Sequence, residues 1–126
     1  MAFEDMLDDM FSMREAFMRK LRDRKPGLFP EWPIDLSDKH SQQHVRDMAL
    51  RGVEEMFEAL QHLKNWKPHR DTQVTDFNHD EFLEEIVDAF NYFMSVLVLT
   101  GVGPQELFSA YKKKDAIINE RLDNGY

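Results

Sequence analysis

Asn78-His79-Asp80-Glu81-Phe82-Leu83-Glu84-Glu85-Ile86-Val87-Asp88-Ala89-Phe90-Asn91-Tyr92-Phe93-Met94-Ser95-Val96-Leu97-Val98-Leu99-Thr100 reads as one long helix. Asn78, with Glu81 three residues on, has the spacing of a capping box. Gly101-Val102-Gly103 stops the segment. Val96, Leu97, Val98 and Leu99 stand in succession, so the second half is apolar nearly all the way round. A helix of that kind is buried on several sides, which suits burial by its own subunit and by a partner. Burial by the first helix alone is the alternative.

Working outward, Ser37 or Asp38 is placed to cap a preceding helix that runs to about Trp66, before Pro68. Before that, an amphipathic segment from about Phe3 to Arg24 carries Met6, Leu7, Met10, Phe11, Phe17, Met18 and Leu21, and Lys25-Pro26-Gly27 ends it. Residues 28–36 contain Pro30 and Pro33 and read as an extended connection, and residues 67–77 as a polar loop. Pro104 suits a first helical turn and opens a last helix to about Leu122. No segment reads as a strand. The expectation is an all-α, single-domain bundle of about four main helices over residues 1–126, completed by dimerisation.

Composition agrees with a folded domain. Apolar residues make up 42%, with ten Phe and eight Met, and there is no Cys for disulfide or thiol chemistry. The net charge of −8 argues against a nucleic-acid partner, the one local exception being Lys112-Lys113-Lys114. The start Met-Ala-Phe-Glu-Asp lacks a basic and then apolar leader. The apolar stretch from Phe90 to Val102 is interrupted and falls short of the roughly 20 residues that span a bilayer. The chain is expected to be cytoplasmic, with no membrane partner.

Two acidic clusters sit inside these apolar helices: Glu54-Glu55-Met56-Phe57-Glu58 and Glu84-Glu85-Ile86-Val87-Asp88. At about 100° per residue, Glu55 and Glu85 lie about 100° to one side of Met56 and Ile86, and Glu58 and Asp88 about 160° to that same side. Antiparallel helices packed face to face aim both pairs into one cleft. Glu54 and Glu84 fall on the opposite flank. His62 and Trp66 continue the flank of Glu55 and Glu58, which places an aromatic ring at one end of the cleft. With no basic partner beside them in the sequence, like charges three apart cost roughly 0.2–0.5 kcal/mol per pair. A hard dication such as Mg²⁺ reverses that sign, because it takes carboxylate oxygens and leaves positions for water and phosphate. Such ions clamp a triphosphate and activate water. A solvated acidic face is the alternative.

Other metal chemistries fit less well. A carboxylate-bridged di-iron site wants Glu-x-x-His on two helices, and no Glu here is followed three residues later by His. His40 and His44 are four apart, but no Glu follows the first as a metalloprotease helix requires.

Glu55-x-x-Glu58 and, after a gap of 26 residues, Glu85-x-x-Asp88 resemble the E-x-x-E…E-x-x-D signature of the all-α nucleoside triphosphate pyrophosphohydrolases, which include MazG-type enzymes, dCTP pyrophosphatases and dimeric dUTPases. Lys64-Asn65-Trp66-Lys67 and the ending Tyr111-Lys112-Lys113-Lys114-Asp115…Asn119-x-Arg121…Asn124-Gly125-Tyr126 resemble stretches of the dimeric dUTPases, especially phage and bacterial members. The likeness covers about residues 45–126. It implies a homodimer that uses Mg²⁺, with Mn²⁺ as substitute, to hydrolyse a deoxynucleoside triphosphate, dUTP in the first instance, to the monophosphate and pyrophosphate. Glu55, Glu58, Glu85 and Asp88 then take the metal-ligand role, with Glu55 or Glu58 activating the water. Lys64, Lys114 and Arg121 match phosphate-contacting positions, and Trp66 and Asn91 are candidates for the base. The chain departs from the pattern at Asn91, often His, at Asp115, usually Asn, and in the first helix, where Met10, Met13 and Arg14 stand where a Gln is expected. Those departures open dCTP or a purine triphosphate as the substrate. A non-catalytic helical interaction protein is the rival from another class.

Overall fold

A computed structural model of the chain describes residues 5–125. Among the described residues there are four helices and no strand: α1 (Met6–Arg24), α2 (Lys39–Leu60), α3 (His79–Leu99) and α4 (Pro104–Asp123). Phe3, the expected first helical residue, and Tyr126, in the C-terminal stretch, lie outside the described residues. No single helix is long and apolar enough to cross a membrane.

The caps follow the sequence. Asp5 accepts from the Asp8 amide (3.1 Å), Asp38 from Ser41 (3.0 Å) and Asn78 from Glu81 (3.1 Å), each satisfying an N–H that the first turn leaves unpaired. Pro104 takes the first turn of α4, where its missing N–H costs nothing.

One boundary is corrected. The sequence carries the second helix to about Trp66, but α2 stops at Leu60. The His62 and Leu63 amides bond only three residues back, to Ala59 and Leu60, which tightens and ends the helix. Asn65 then ties a loop, donating to Asp71 and accepting from the Thr72 amide, both at 2.8 Å.

α2 and α3 form an antiparallel hairpin, and α1 packs against α3. The hairpin closes tightly at Gly52, where an added Cβ would lie 2.9 Å from the Phe93 ring and 3.2 Å from the Tyr92 Cβ. Phe11, Met18, Met48, Met94, Val98 and Leu99 make the core, with Phe29, Trp32 and Ile34 of the α1–α2 connection folded onto it. That connection is fixed by the Ile34 amide donating to the Leu99 carbonyl at 2.8 Å. α4 turns 106° away from α3 and packs against α1 alone, with no buried residue.

The core is small for the chain. The accessible surface is 10154 Å², whereas a folded monomer of 15.0 kDa exposes about 7,000 Å². Much of the excess is apolar. On α2, Leu50 (46%), Val53 (41%), Phe57 (59%) and Leu60 (45%) are exposed in one row at 3-4-3 spacing. Within the single chain Met94, Ser95, Val98 and Leu99 in the second half of α3 are already buried, while Leu83, Val87 and Phe90 of the first half remain exposed.

Candidate metal centre

The antiparallel hairpin brings the two acidic pairs onto one face. Burial pushes the Glu55 carboxyl above its ordinary value, and the neighbouring charges of Glu58, Asp88 and Glu85 push it further. All four carboxylates from two helices therefore share one field, as the matched flanks require. Neither Glu54 nor Glu84 acts on Glu55.

The structure adds two basic groups to a cluster whose sequence neighbourhood offered none. His62 Nε2 lies 2.7 Å from Glu85 Oε2. The early end of α2 turns His62 back over the hairpin, where it also meets the Phe82 ring edge-on at 6.4 Å. The contact is poorly directed, and Glu85 Oε2 is left buried without a hydrogen-bond donor. Arg14 comes from α1: its charge is felt with that of Asp88, which holds the guanidinium in its charged form against burial. His62 was already on the right flank of the helical wheel. The signal for Arg14 was a lone cation within the apolar row Met10, Met13 and Phe17.

The residues fit a hard dication. The donor set is carboxylate oxygen, one buried oxygen has no donor, and Glu55 carries the repulsion of three neighbours that a cation relieves. Among the described residues no three His, Asp or Glu side chains converge on one ion position.

Other expected site residues lie elsewhere. Lys64 and Trp66 share a cavity of about 650 Å³ with Phe57, Leu60 and Arg70. Phe57 and Leu60 lie roughly 140° round α2 from the carboxylates, so the placing of Trp66 at the end of the acidic cleft is corrected. The cause is the loss of helix after Leu60, which frees Trp66 from the wheel. Lys64 Nζ pairs instead with Asp76 at 3.4 Å. Lys114 and Arg121 ride on α4, which touches neither α2 nor α3, so one chain does not bring them to its own carboxylates. Asn91 lines a groove between α1 and α3 that ends at Asp88.

The repulsion at Glu55 has a measurable sign. A carboxyl whose folded pKa is raised favours folding while it is protonated, and that contribution is lost as the pH rises through the raised value. In metal-free protein, Glu55→Gln is therefore expected to stabilise the fold at pH 7 by a few tenths of a kcal/mol. The gain disappears below the ordinary carboxylate range. Chemical denaturation of both proteins in EDTA at pH 7 and pH 4 checks this.

Compared with models of protein families, with curated proteins and with solved structures, the chain matches none.

Proposed function

We propose that the chain is a Mg²⁺-dependent nucleoside triphosphate pyrophosphohydrolase that cleaves a deoxynucleoside triphosphate between its α and β phosphates. The single observation that carries the reading is that α2 and α3, packed as a hairpin, bring Glu55, Glu58, Glu85 and Asp88 near enough to repel one another. An oxygen-only cluster with an undonated buried oxygen suits a hard dication and, through it, a phosphate substrate. The resemblance of Glu55-x-x-Glu58 and Glu85-x-x-Asp88 to the pyrophosphohydrolase signature supplies the bond that is cut.

Glu55, Glu58, Glu85 and Asp88 would hold the metal, which when bound neutralises phosphate charge and acidifies a coordinated water. Glu55 or Glu58 would activate the water, as the resemblance implies. His62, in the turn that follows α2, lies 2.7 Å from Glu85 Oε2. A phosphate role for Lys64, Lys114 and Arg121 rests on the resemblance alone.

The active form is a homodimer joined along the exposed row of α2. Leu50, Val53, Phe57 and Leu60 repeat as the a and d positions of a short heptad seam. The excess of about 3,000 Å² over a monomer's surface exceeds the roughly 1,000–2,500 Å² that each partner of an obligate dimer buries, so such an interface would cover a large part of it.

The test is to offer purified protein each dNTP with Mg²⁺ and analyse products. Release of pyrophosphate and a monophosphate, abolished by EDTA and restored by Mg²⁺ or Mn²⁺, is the expected result. If no nucleotide is cleaved with either metal, the enzyme reading fails, and the exposed apolar row leaves a helical interaction protein in its place.

A further inference from the structure

The groove between α1 and α3 has a volume of about 650 Å³, within the usual range for small-molecule sites. Its walls are apolar: Met10, Met13 and Phe17 from α1 face Val87, Phe90 and Met94 from α3. Its polar groups are Arg14, Asn91 and Asp88, the last being one of the four clustered carboxylates.

Arg14 is held in place there. Its Nε donates to Ser95 Oγ at 2.7 Å, and the fully buried Ser95 hydroxyl in turn donates to the Asn91 carbonyl at 2.9 Å. The Phe17 and Tyr92 rings flank the guanidinium at 5.0 and 6.0 Å. Burial pushes Arg14 below the ordinary arginine value. Among the described residues it makes no ion pair within 4.0 Å, and Nε is its one hydrogen-bonding nitrogen. Asp88 supplies opposite charge from beyond ion-pair distance, so the partly desolvated guanidinium still gains from any group that accepts from it. The two Nη groups keep their donors for a ligand.

We infer that this groove receives the base of the triphosphate bound at the carboxylates, and that Arg14 selects guanine or cytosine by donating two parallel hydrogen bonds. The inference rests on the proposed pyrophosphohydrolase reading. A guanidinium only donates. Guanine offers it two neighbouring acceptors, O6 and N7, and cytosine offers O2 and N3. Uracil and thymine interpose an N3–H between their carbonyls, and adenine sets an amino donor beside its ring acceptors, so none of them matches the fork. The apolar walls take the ring faces, and Asn91 lines the same groove.

Two measurements test this: kcat/KM for the five dNTPs, including dUTP, and equilibrium binding of non-hydrolysable α,β-imido analogues of dGTP, dCTP and dUTP. Wild type, Arg14→Gln and Arg14→Lys are compared, the lysine variant keeping the charge without the fork. Wild type is expected to favour dGTP or dCTP over dUTP by roughly 5- to 150-fold, the worth of a good bidentate pair. Both variants should bring that ratio to within a few-fold in cleavage and in binding, with melting curves showing folded protein. Preference for dUTP in the wild type, or an unchanged ratio in the lysine variant, overturns the inference while pyrophosphate release still upholds the enzyme. Absence of both cleavage and analogue binding overturns the two together.

Discussion

Glu55→Gln is expected to lower pyrophosphate release by about 10²- to 10⁴-fold, the usual worth of a positioned general base. The side chain keeps its size and loses only the charge and the basicity. Because that charge is repelled by Glu58, Asp88 and Glu85, its removal relieves the fold while it disables the chemistry. Activity and stability therefore move in opposite directions, which a merely structural glutamate would not do. Asp88→Asn should give a loss of similar order, and the double variant should cost little more than either, since residues that act as one unit are not additive. Glu54→Gln and Glu84→Gln are the matched controls on the other flank and should stay near wild type. Steady-state rates with a cleavable dNTP, alongside thermal melts with and without Mg²⁺, check all five. A site that binds Mg²⁺ adds about 2.7 kcal/mol of apparent stability at a hundred times its Kd, and the Glu55 and Asp88 variants should lose most of that gain. Equal activity in Glu55→Gln and Glu54→Gln would end the metal-centre reading.

Phe57→Asp is expected to weaken self-association by at least about 100-fold. Phe57 is the most exposed member of the α2 row and sits at an inner position of the seam, where a two-fold axis sets it close to its copy. Burying a carboxylate there without a partner costs about 3–5 kcal/mol, or two to three decades in Kd. Sedimentation velocity across a concentration series measures it. The variant should run as a 15.0 kDa monomer at concentrations where wild type is a dimer. A wild-type protein that is already monomeric at high concentration would remove the dimer from the proposal, leaving the carboxylate centre to be judged by its own variants.

The sequence was legible where local chemistry dominates. Asp38 and Asn78 cap their helices because a short side-chain oxygen meets an unpaired N–H wherever it occurs in that position. Pro104 opens α4, and Lys25-Pro26-Gly27 closes α1 at Arg24, for equally local reasons. The four carboxylates were legible too, because helical periodicity fixes which side of its own helix a residue occupies.

What followed beyond one helix was less so. The end of α2 depends on Asn65 reaching across a loop to Asp71 and Thr72, and a wheel extended through that break put Trp66 on the wrong side. Lys114 and Arg121 were assigned to phosphate by resemblance, but the 106° corner before α4 carries them away from the carboxylates of their own chain.

By itself, the sequence determined four helices, a cap at Ser37 or Asp38 for α2 and at Asn78 for α3, and the shared flank of Glu55, Glu58, Glu85 and Asp88, because each depends on backbone geometry within a few residues. Only the tertiary structure decided which groups from elsewhere in the chain meet that flank. His62 lies against Glu85 and the charge of Arg14, on another helix, is felt with that of Asp88, since groups separated by tens of residues are brought together by packing and by nothing in their spacing.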